Sequence, residues 1–528
     1  MFSSIKRFFQ RHPSVREAIL WVIPAILFGA VLRLCMLSYS PYAYWGSDSR
    51  SYFDFAFRLF AEQKISLNEK RRFVYPIYTA FVTMLPGSPL KWLAWIQHGF
   101  GLITLIPLAY VIRKTCVFWK WWIIPVTVLY AGLPVILWYE HEMLGETLYF
   151  AFVVWAYAGW VAWAKAQDRA RAVAVWWWFY VPFALFILTK PSGRFLWPGL
   201  CLGLLLNAAW RRMSRKQIIA LGTLMVITLF VGSKKQGGWL LYTATFPLTQ
   251  LETPKHAEYK AQIRNDVTEF RTKIDSYYRS DDWPFEFLFN PADQQERPLW
   301  SALGEDKKSD LKHRIYMDLA IEGIKAHPEL FLYLGWQRLV ASSNLSEFKE
   351  QRFRADYSVL RLQNDYDDAV DKLSRQKGVG LPLALGYPAR GPLPSYEEIV
   401  AQIAPKKDSI AEKVVISWVA GYEHYSALVH LPSREQRETT KLTQVPPTPL
   451  GCWLLAGFAL SLALPFYRTT HGAWVLAALG YLGGVFLVSQ VNPRYFGVAW
   501  PVFVPLLALP ADFLCVLVRK IRLKKQKA

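Results

Sequence analysis

Hydrophobic residues fall along this 528-residue chain in long runs separated by short polar clusters. A helix needs a run of about 20 apolar residues to cross a bilayer. Runs near that length occur at about 18–38, 88–112, 121–139, 147–164, 173–189, 195–210 and 217–233, then at about 451–467, 472–489 and 497–518. They predict an all-α polytopic membrane protein with about ten transmembrane helices. Between the seventh and eighth runs the chain is polar and charged, with helical pieces and loop signals. There, Asp310 to Ser343 reads as two helices broken at His327-Pro328, and 376–396, rich in Gly and Pro, reads as loop. The segment 410–431 is amphipathic, but Glu412, Lys413, Glu423 and His424 argue against a span. Three regions follow. Residues 1–233 form a membrane module that includes an outer loop at 39–87. Residues 234–450 form a mostly helical outer-face region, and 451–528 form a second membrane module with a basic tail.

Composition and charge add orientation. The chain is 53% hydrophobic and 16% aromatic with 24 tryptophans, and only 19% is charged. A net charge of +21 would suit nucleic acid, but much of it sits in clusters at the ends of the apolar runs. That is where the positive-inside rule puts it, so nucleic acid is not an expected partner. Every even-numbered run ends with Lys or Arg within a few residues, ending with Arg519, Lys520, Arg522, Lys524, Lys525 and Lys527. Both termini are therefore expected in the cytoplasm, with the first run an uncleaved span. Arg33 lies inside that first run, where its stem suits snorkelling to the headgroups, with a lipid-phosphate contact as the alternative. The cysteines lie in or beside apolar runs without a metal or disulfide pattern.

Candidate chemistry gathers on the face opposite the basic clusters. Asp48 sits in a small polar turn with Gly46, Ser47 and Ser49. Tyr52, Phe53, Ala56, Phe57 and Phe60 follow at helical spacing and predict an amphipathic helix lying at the membrane surface. Lys70, Arg71 and Arg72 then lead into Tyr75-Pro76. Asp48 also fits an ordinary helix cap.

The spacing of Asp48, Tyr52, Ala56, Arg58 and Leu59, then of Arg72, Tyr75 and Pro76, resembles the first outer loop of the GT-C glycosyltransferases. The run Tyr139-Glu140-His141-Glu142 with Glu146 is similar to that family's second acidic motif, with Glu140-x-Glu142 in place of the usual Asp-x-Asp or Glu-x-Asp. Lys190-Pro191-Ser192-Gly193 resembles an Arg-Pro-Ser/Thr-Gly segment, with Lys replacing Arg. Pro493-Arg494-Tyr495 resembles the opening of a late span, and Ala326-His327-Pro328 a helix break common before late spans. Residues 345–410 match nothing in the family.

The resemblance implies transfer of a sugar from a polyprenyl-phosphate-linked donor to a lipid, glycan or protein acceptor, with inversion. It implies a bacterial inner membrane and a site facing the periplasm. Asp48 would be the base that deprotonates the acceptor hydroxyl. Arg72, Lys190, Arg194 and Arg494 would hold the donor phosphate and stabilise its growing charge. These four run against the positive-inside rule, although headgroup anchoring also accounts for them. Tyr52, Tyr75 and Tyr495 would support the site. Glu142 and Glu146, four apart, would share a helix face. Asp48, His141 and Glu142 suit a Mg or Mn ion, while the acidic residues equally suit a cap for the fourth span. Both metal-dependent and metal-independent transfer stay open.

Two other classes compete. A transporter or flippase for lipid-linked saccharides should carry ionisable residues near mid-membrane or paired broken helices. Here the ionisable residues fall mainly at the ends of runs, and no matched halves are visible. A scaffold using 234–450 for protein contacts would leave the acidic and basic constellation unexplained.

Overall fold

The computed structural model describes residues 10, 13–46, 49–65, 73–166, 169–206, 213–230, 310–329, 331–332, 335, 356–375, 380–388, 392–426, 449–488 and 499–527. Its described elements are helical, with one isolated backbone bridge. Five helices are long and apolar enough to cross a membrane: Pro13–Tyr39, Pro89–Thr115, Glu146–Ala164, Ala172–Thr189 and Trp500–Leu523. A bent pair, Trp119–Gly132 with Pro134–His141, passes the same test of length and apolarity when taken together, as a broken span or a re-entrant loop. The protein is a multi-pass membrane protein on this ground.

In chain order, α1 is Pro13–Tyr39, α2 Ser49–Ala61, α3 Val74–Thr83, α4 Pro89–Thr115, α5 Trp119–Gly132 and α6 Pro134–His141. Then come α7, Glu146–Ala164, α8, Arg169–Thr189, a 3-10 turn over Pro191–Phe195, α9, Leu196–Leu206, and α10, Arg215–Phe230. Within residues 234–450 come α11, Asp310–Ala326, α12, Asp356–Ser374, α13, Gly380–Leu385, α14, Tyr396–Ile403, and α15, Ile410–Ser426. The described part of the chain ends with α16, Pro449–Ala463, α17, Ala473–Val488, α18, Trp500–Leu506, and α19, Ala508–Lys527. The apolar runs at the sixth to ninth positions form α9, α10, α16 and α17, of 11, 16, 15 and 16 residues. Over the described residues alone these are shorter than the roughly 20 residues a straight crossing needs, and parts of the same runs, such as 207–210 and 231–233, lie outside them. The expected break at His327-Pro328 is present, since α11 ends at Ala326 and His327 lies outside the helix.

The third run is not the continuous span its composition suggested. α5 and α6 meet at 50° around Leu133. The cause is local: Pro134 opens α6, and a residue before proline is pushed out of the helical region. Leu133 accordingly has φ −58 and ψ 119. The bend frees backbone carbonyls inside an apolar bundle, where an unpaired carbonyl is costly. Two side chains answer them. Arg33 Nη1 donates to Ala131 O at 3.0 Å, and Trp418 Nε1 donates to Gly132 O at 2.7 Å.

Arg33 corrects the snorkelling expectation. It is 1% exposed and turned into the bundle, where Nη2 meets Glu140 Oε1 at 2.6 Å and Nη1 also reaches Gly29 O at 3.1 Å. The other Glu140 oxygen lies 3.0 Å from His98 Nδ1 on α4. Arg33, His98 and Glu140 are thus ionisable groups within the bundle rather than at the ends of runs. Space for the carboxylate comes from Gly101, where a Cβ would lie 1.8 Å from Glu140 Oε1.

α15 is not among the candidate spans, and it packs against α1. Lys406 N donates to Tyr39 O at 2.8 Å, while the Trp418 ring packs on Phe28 with centroids 5.1 Å apart. The helix therefore runs antiparallel along α1, over a stretch of roughly 16 Å at 1.5 Å per residue. Its charged residues, Glu412 and Lys413 at one end and Glu423 and His424 at the other, leave Val415 and Val419 between them, both buried. The charges that argued against a span lie toward its ends.

Removing one member of the Arg33–Glu140 pair strands a buried charge. Arg33→Met or Glu140→Leu alone should cost about 3–5 kcal/mol, and the double variant should recover much of the loss. Thermal unfolding in detergent across this double-mutant cycle measures it.

Candidate functional site

The first loop and the turn after α6 are joined by backbone. Tyr44 N donates to His141 O at 2.7 Å, and Met143 N donates to Tyr44 O at 2.9 Å, so Tyr44 and Glu142 form a parallel bridge. Ser49 adds a side-chain tie. Its Oγ donates to Met143 O at 3.1 Å and accepts Gly46 N at 2.8 Å. Gln97 Nε2 holds the far side of the turn, donating to Glu140 O and Glu142 O at 3.0 Å each. Tyr75 OH donates to Gln97 Oε1 at 2.8 Å. This places the start of α2, α3 and the α6–α7 turn around one point.

The three carboxylates of the acidic motif go separate ways. Glu140 turns into the bundle, to Arg33 and His98. Glu142 stays at the loop, where Oε2 accepts from Trp138 Nε1 at 2.7 Å. Its Oε1 faces Gly46 so closely that a Cβ there would lie 2.5 Å away. Glu146 is fully buried and ion-paired with Lys190, whose ammonium also lies over the Tyr149 ring. Glu142 and Glu146 do not share a helix face as expected. Glu142 is the extended C-cap of α6 and Glu146 the first residue of α7. Glu146 does sit at the positive end of α7, as a cap reading requires.

Of the phosphate candidates, Lys190 is drawn to Glu146, and Arg194 sits half-buried in the 3-10 turn over the Phe195 ring. Among the described residues Arg194 makes no ion pair. Asp48, Arg72, Arg494 and Tyr495 lie outside the described residues, as do Lys70 and Arg71. Tyr52 and Tyr75 meet edge to face with centroids 4.6 Å apart and are both buried. Burial raises the Tyr75 phenol well above its ordinary pKa, and likewise that of Tyr44, so both are hydrogen-bonding groups rather than acids at neutral pH. The α2 face predicted for the membrane surface is buried at Tyr52, Phe53, Ala56 and Phe57, whereas Phe60 is exposed.

Of the residues proposed for a metal, His141 and Glu142 are described, and Asp48 lies outside the described residues. His141 Nδ1 is engaged by His98 Nε2 at 3.0 Å, and Glu142 keeps one oxygen toward the loop. Among the described residues no group of three His, Cys, Asp or Glu side chains could hold a metal ion. No step is assigned to one.

Sequence reading missed Gln97 and His98, although an adjacent pair of polar residues inside an apolar run was visible. It also missed Tyr44, which acts through its backbone and so leaves no side-chain signature.

No protein-family model matches the chain, and no curated protein matches it. Among solved structures, the chain aligns over most of its length with AglB and ArnT, at low TM-scores. The archaeal oligosaccharyltransferase AglB from Archaeoglobus fulgidus, solved with an inhibitory peptide and a dolichol-phosphate, is 13% identical with a TM-score of 0.39. That match covers 97% of this chain and 52% of AglB, so the chain spans about half of AglB's length. ArnT from Cupriavidus metallidurans in the apo state is 13% identical with a TM-score of 0.34, covering 92% of this chain and 78% of ArnT. ArnT bound to undecaprenyl phosphate is 14% identical with a TM-score of 0.33, covering 92% and 77%.

The closeness of Glu142 to Gly46 is testable. Gly46→Ala should push the turn off the carboxylate and raise amide hydrogen exchange at Ala43 to Trp45. Gly46→Ala with Glu142→Ala, which removes the clashing oxygen, should return exchange toward wild type.

Proposed function

We propose that the chain is a glycosyltransferase of the GT-C class, moving a sugar from a polyprenyl-phosphate-linked donor to a lipid, glycan or protein acceptor. The observation that supports it best is the Tyr44–Glu142 bridge. It brings the loop that carries Asp48 in the sequence against the second acidic motif, the two segments on which the family resemblance rests. In this reading Asp48 takes the proton of the acceptor hydroxyl. The acceptor oxygen attacks the anomeric carbon on the face opposite the phosphate, the carbon–oxygen bond to phosphate breaks, and polyprenyl phosphate leaves. Phosphate is a good leaving group, so protonation by a general acid is not needed.

The cations then divide their work. Arg194, with Arg72 and Arg494, holds the donor phosphate, where preorganised positive charge favours the growing negative charge of the leaving group. Lys190 contributes through the Glu146 pair, so it orders the start of α7 rather than carrying a free charge to the donor. The site would face the periplasm, in a bacterial inner membrane, with both termini cytoplasmic and ten spans in all. Residues 234–450 would form the region that covers the loop and chooses the acceptor.

A second reading gains one observation. Ionisable groups inside the bundle are what a transporter for lipid-linked saccharides requires. Here, however, Arg33, Glu140 and His98 are spent on one another and on the carbonyls around the bend.

Radiolabelled polyprenyl-phosphate sugars offered to the purified protein separate the two. Transfer moves label onto a new molecule, and transport moves intact donor between leaflets of a vesicle. Asp48→Asn keeps shape and capping ability, because Asn and Asp cap helices equally well. Transfer should nonetheless fall by about a hundredfold or more, with folding and donor binding intact. A well-folded Asp48→Asn protein that still transfers sugar would move the base to Glu142 or Glu146.

A further inference from the structure

The inserted region meets the first loop through several residues of α12 and α13, and one carboxylate there touches two separate points of the loop. Asp365 on α12 accepts Trp45 Nε1 through Oδ2 at 2.7 Å and faces Arg50 Nη1 through Oδ1 at 3.6 Å. Asp368 pairs with Arg50 Nη2 at 2.5 Å and with Lys372 at 2.8 Å. Trp45 and Arg50 stand on the two flanks of the turn that begins at Gly46 and ends at Ser49. A single side chain from the insertion therefore grips both sides of that turn. Beneath it, the membrane module holds the same turn through Ser49 and Met143.

The two bonds of Asp365 differ in weight. Arg50 and its acidic partners are partly solvated, and such pairs contribute little. Trp45 is 1% exposed and lies parallel to the Phe53 ring with centroids 6.2 Å apart. Its N–H has been taken out of water, so loss of the acceptor leaves a buried donor unpaired. A hydrogen bond to an ionised acceptor is also among the stronger kinds. Close packing backs the contact: a Cβ on Gly380 would lie 2.6 Å from the Phe53 carbonyl carbon, so α13 sits directly on the α2 backbone.

We propose that Asp365 is a positioning residue for the transfer reaction. By holding Trp45 and Arg50 it fixes the turn between them, and the inserted region thereby sets the geometry of the first loop. The kinetic consequence rests on the glycosyltransferase reading, whereas the mechanical one does not.

The test uses the full chain in detergent, with Asp365→Ala, Asp365→Asn and Trp45→Phe. Amide hydrogen exchange is read over 43–61, and transfer of a radiolabelled polyprenyl-phosphate sugar is read alongside donor affinity. Asp365→Ala and Trp45→Phe should each speed exchange over 43–61 and slow transfer by about tenfold or more, with donor affinity unchanged. Asp365→Asn, which can still accept the indole N–H, should fall between Asp365→Ala and wild type. The double variant should be no worse than Asp365→Ala. Unchanged exchange over 43–61, or faster exchange with wild-type transfer, overturns the proposal. Should Asp365→Ala fail to fold, Trp45→Phe decides in the same way, because it leaves the carboxylate in place. A wild-type protein without transfer activity defeats the glycosyltransferase reading alone, and the exchange arm still decides whether Asp365 holds the turn.

Discussion

A carboxylate buried among apolar helices is the constraint on which this structure turns. Glu140 is 1% exposed, and an ion taken out of water must be paired and hydrogen-bonded to be tolerated. Arg33 and His98 supply those partners from α1 and α4, and thereby fix both helices against α6. Arg33 does more, since it also caps Gly29 and Ala131. The ion pair and the bend at Leu133 are consequently one device: the proline breaks the helix, and the guanidinium satisfies what the break exposes.

From that device the site follows. α6 leaves the bend on a fixed heading, and its last residues reach the first loop where Tyr44 bridges to Glu142. Gln97 sits on the next helical position to His98 and holds the same turn by its carbonyls. The acidic motif is thereby sorted by environment. One carboxylate holds the bundle together, one faces the loop, and one is neutralised by Lys190 at the head of α7. Residues so alike in sequence take three roles because each meets a different partner.

The apolar runs made the helical membrane architecture legible, because membrane-spanning helices must satisfy their own backbone and so declare themselves by length and hydropathy. Other features were not legible, for identifiable reasons. Arg33 looked like a snorkelling side chain because its partner lies 107 positions away. The bend at Leu133 was foreshadowed by Pro134, but proline inside an apolar run does not reveal how sharp a bend will be. The charges of α15 argued against a span, and it is not among the candidate spans, but they did not show that its middle packs on α1 through Trp418. The role of Asp365 was invisible, because the 345–410 segment resembles nothing and the contact spans 320 positions. Glu140, Glu142 and Glu146 were read as one group, but one-dimensional spacing could not show that each meets a different partner.

Cryo-electron microscopy of the full chain in a lipid nanodisc, with added polyprenyl phosphate, addresses the central claim most directly. Phosphate density should lie at the first-loop end of the bundle, within reach of Arg194 and beside the turn formed by Tyr44 and Glu142. Phosphate bound instead at the opposite end, near Asp512 and the α4–α5 connection, would contradict it.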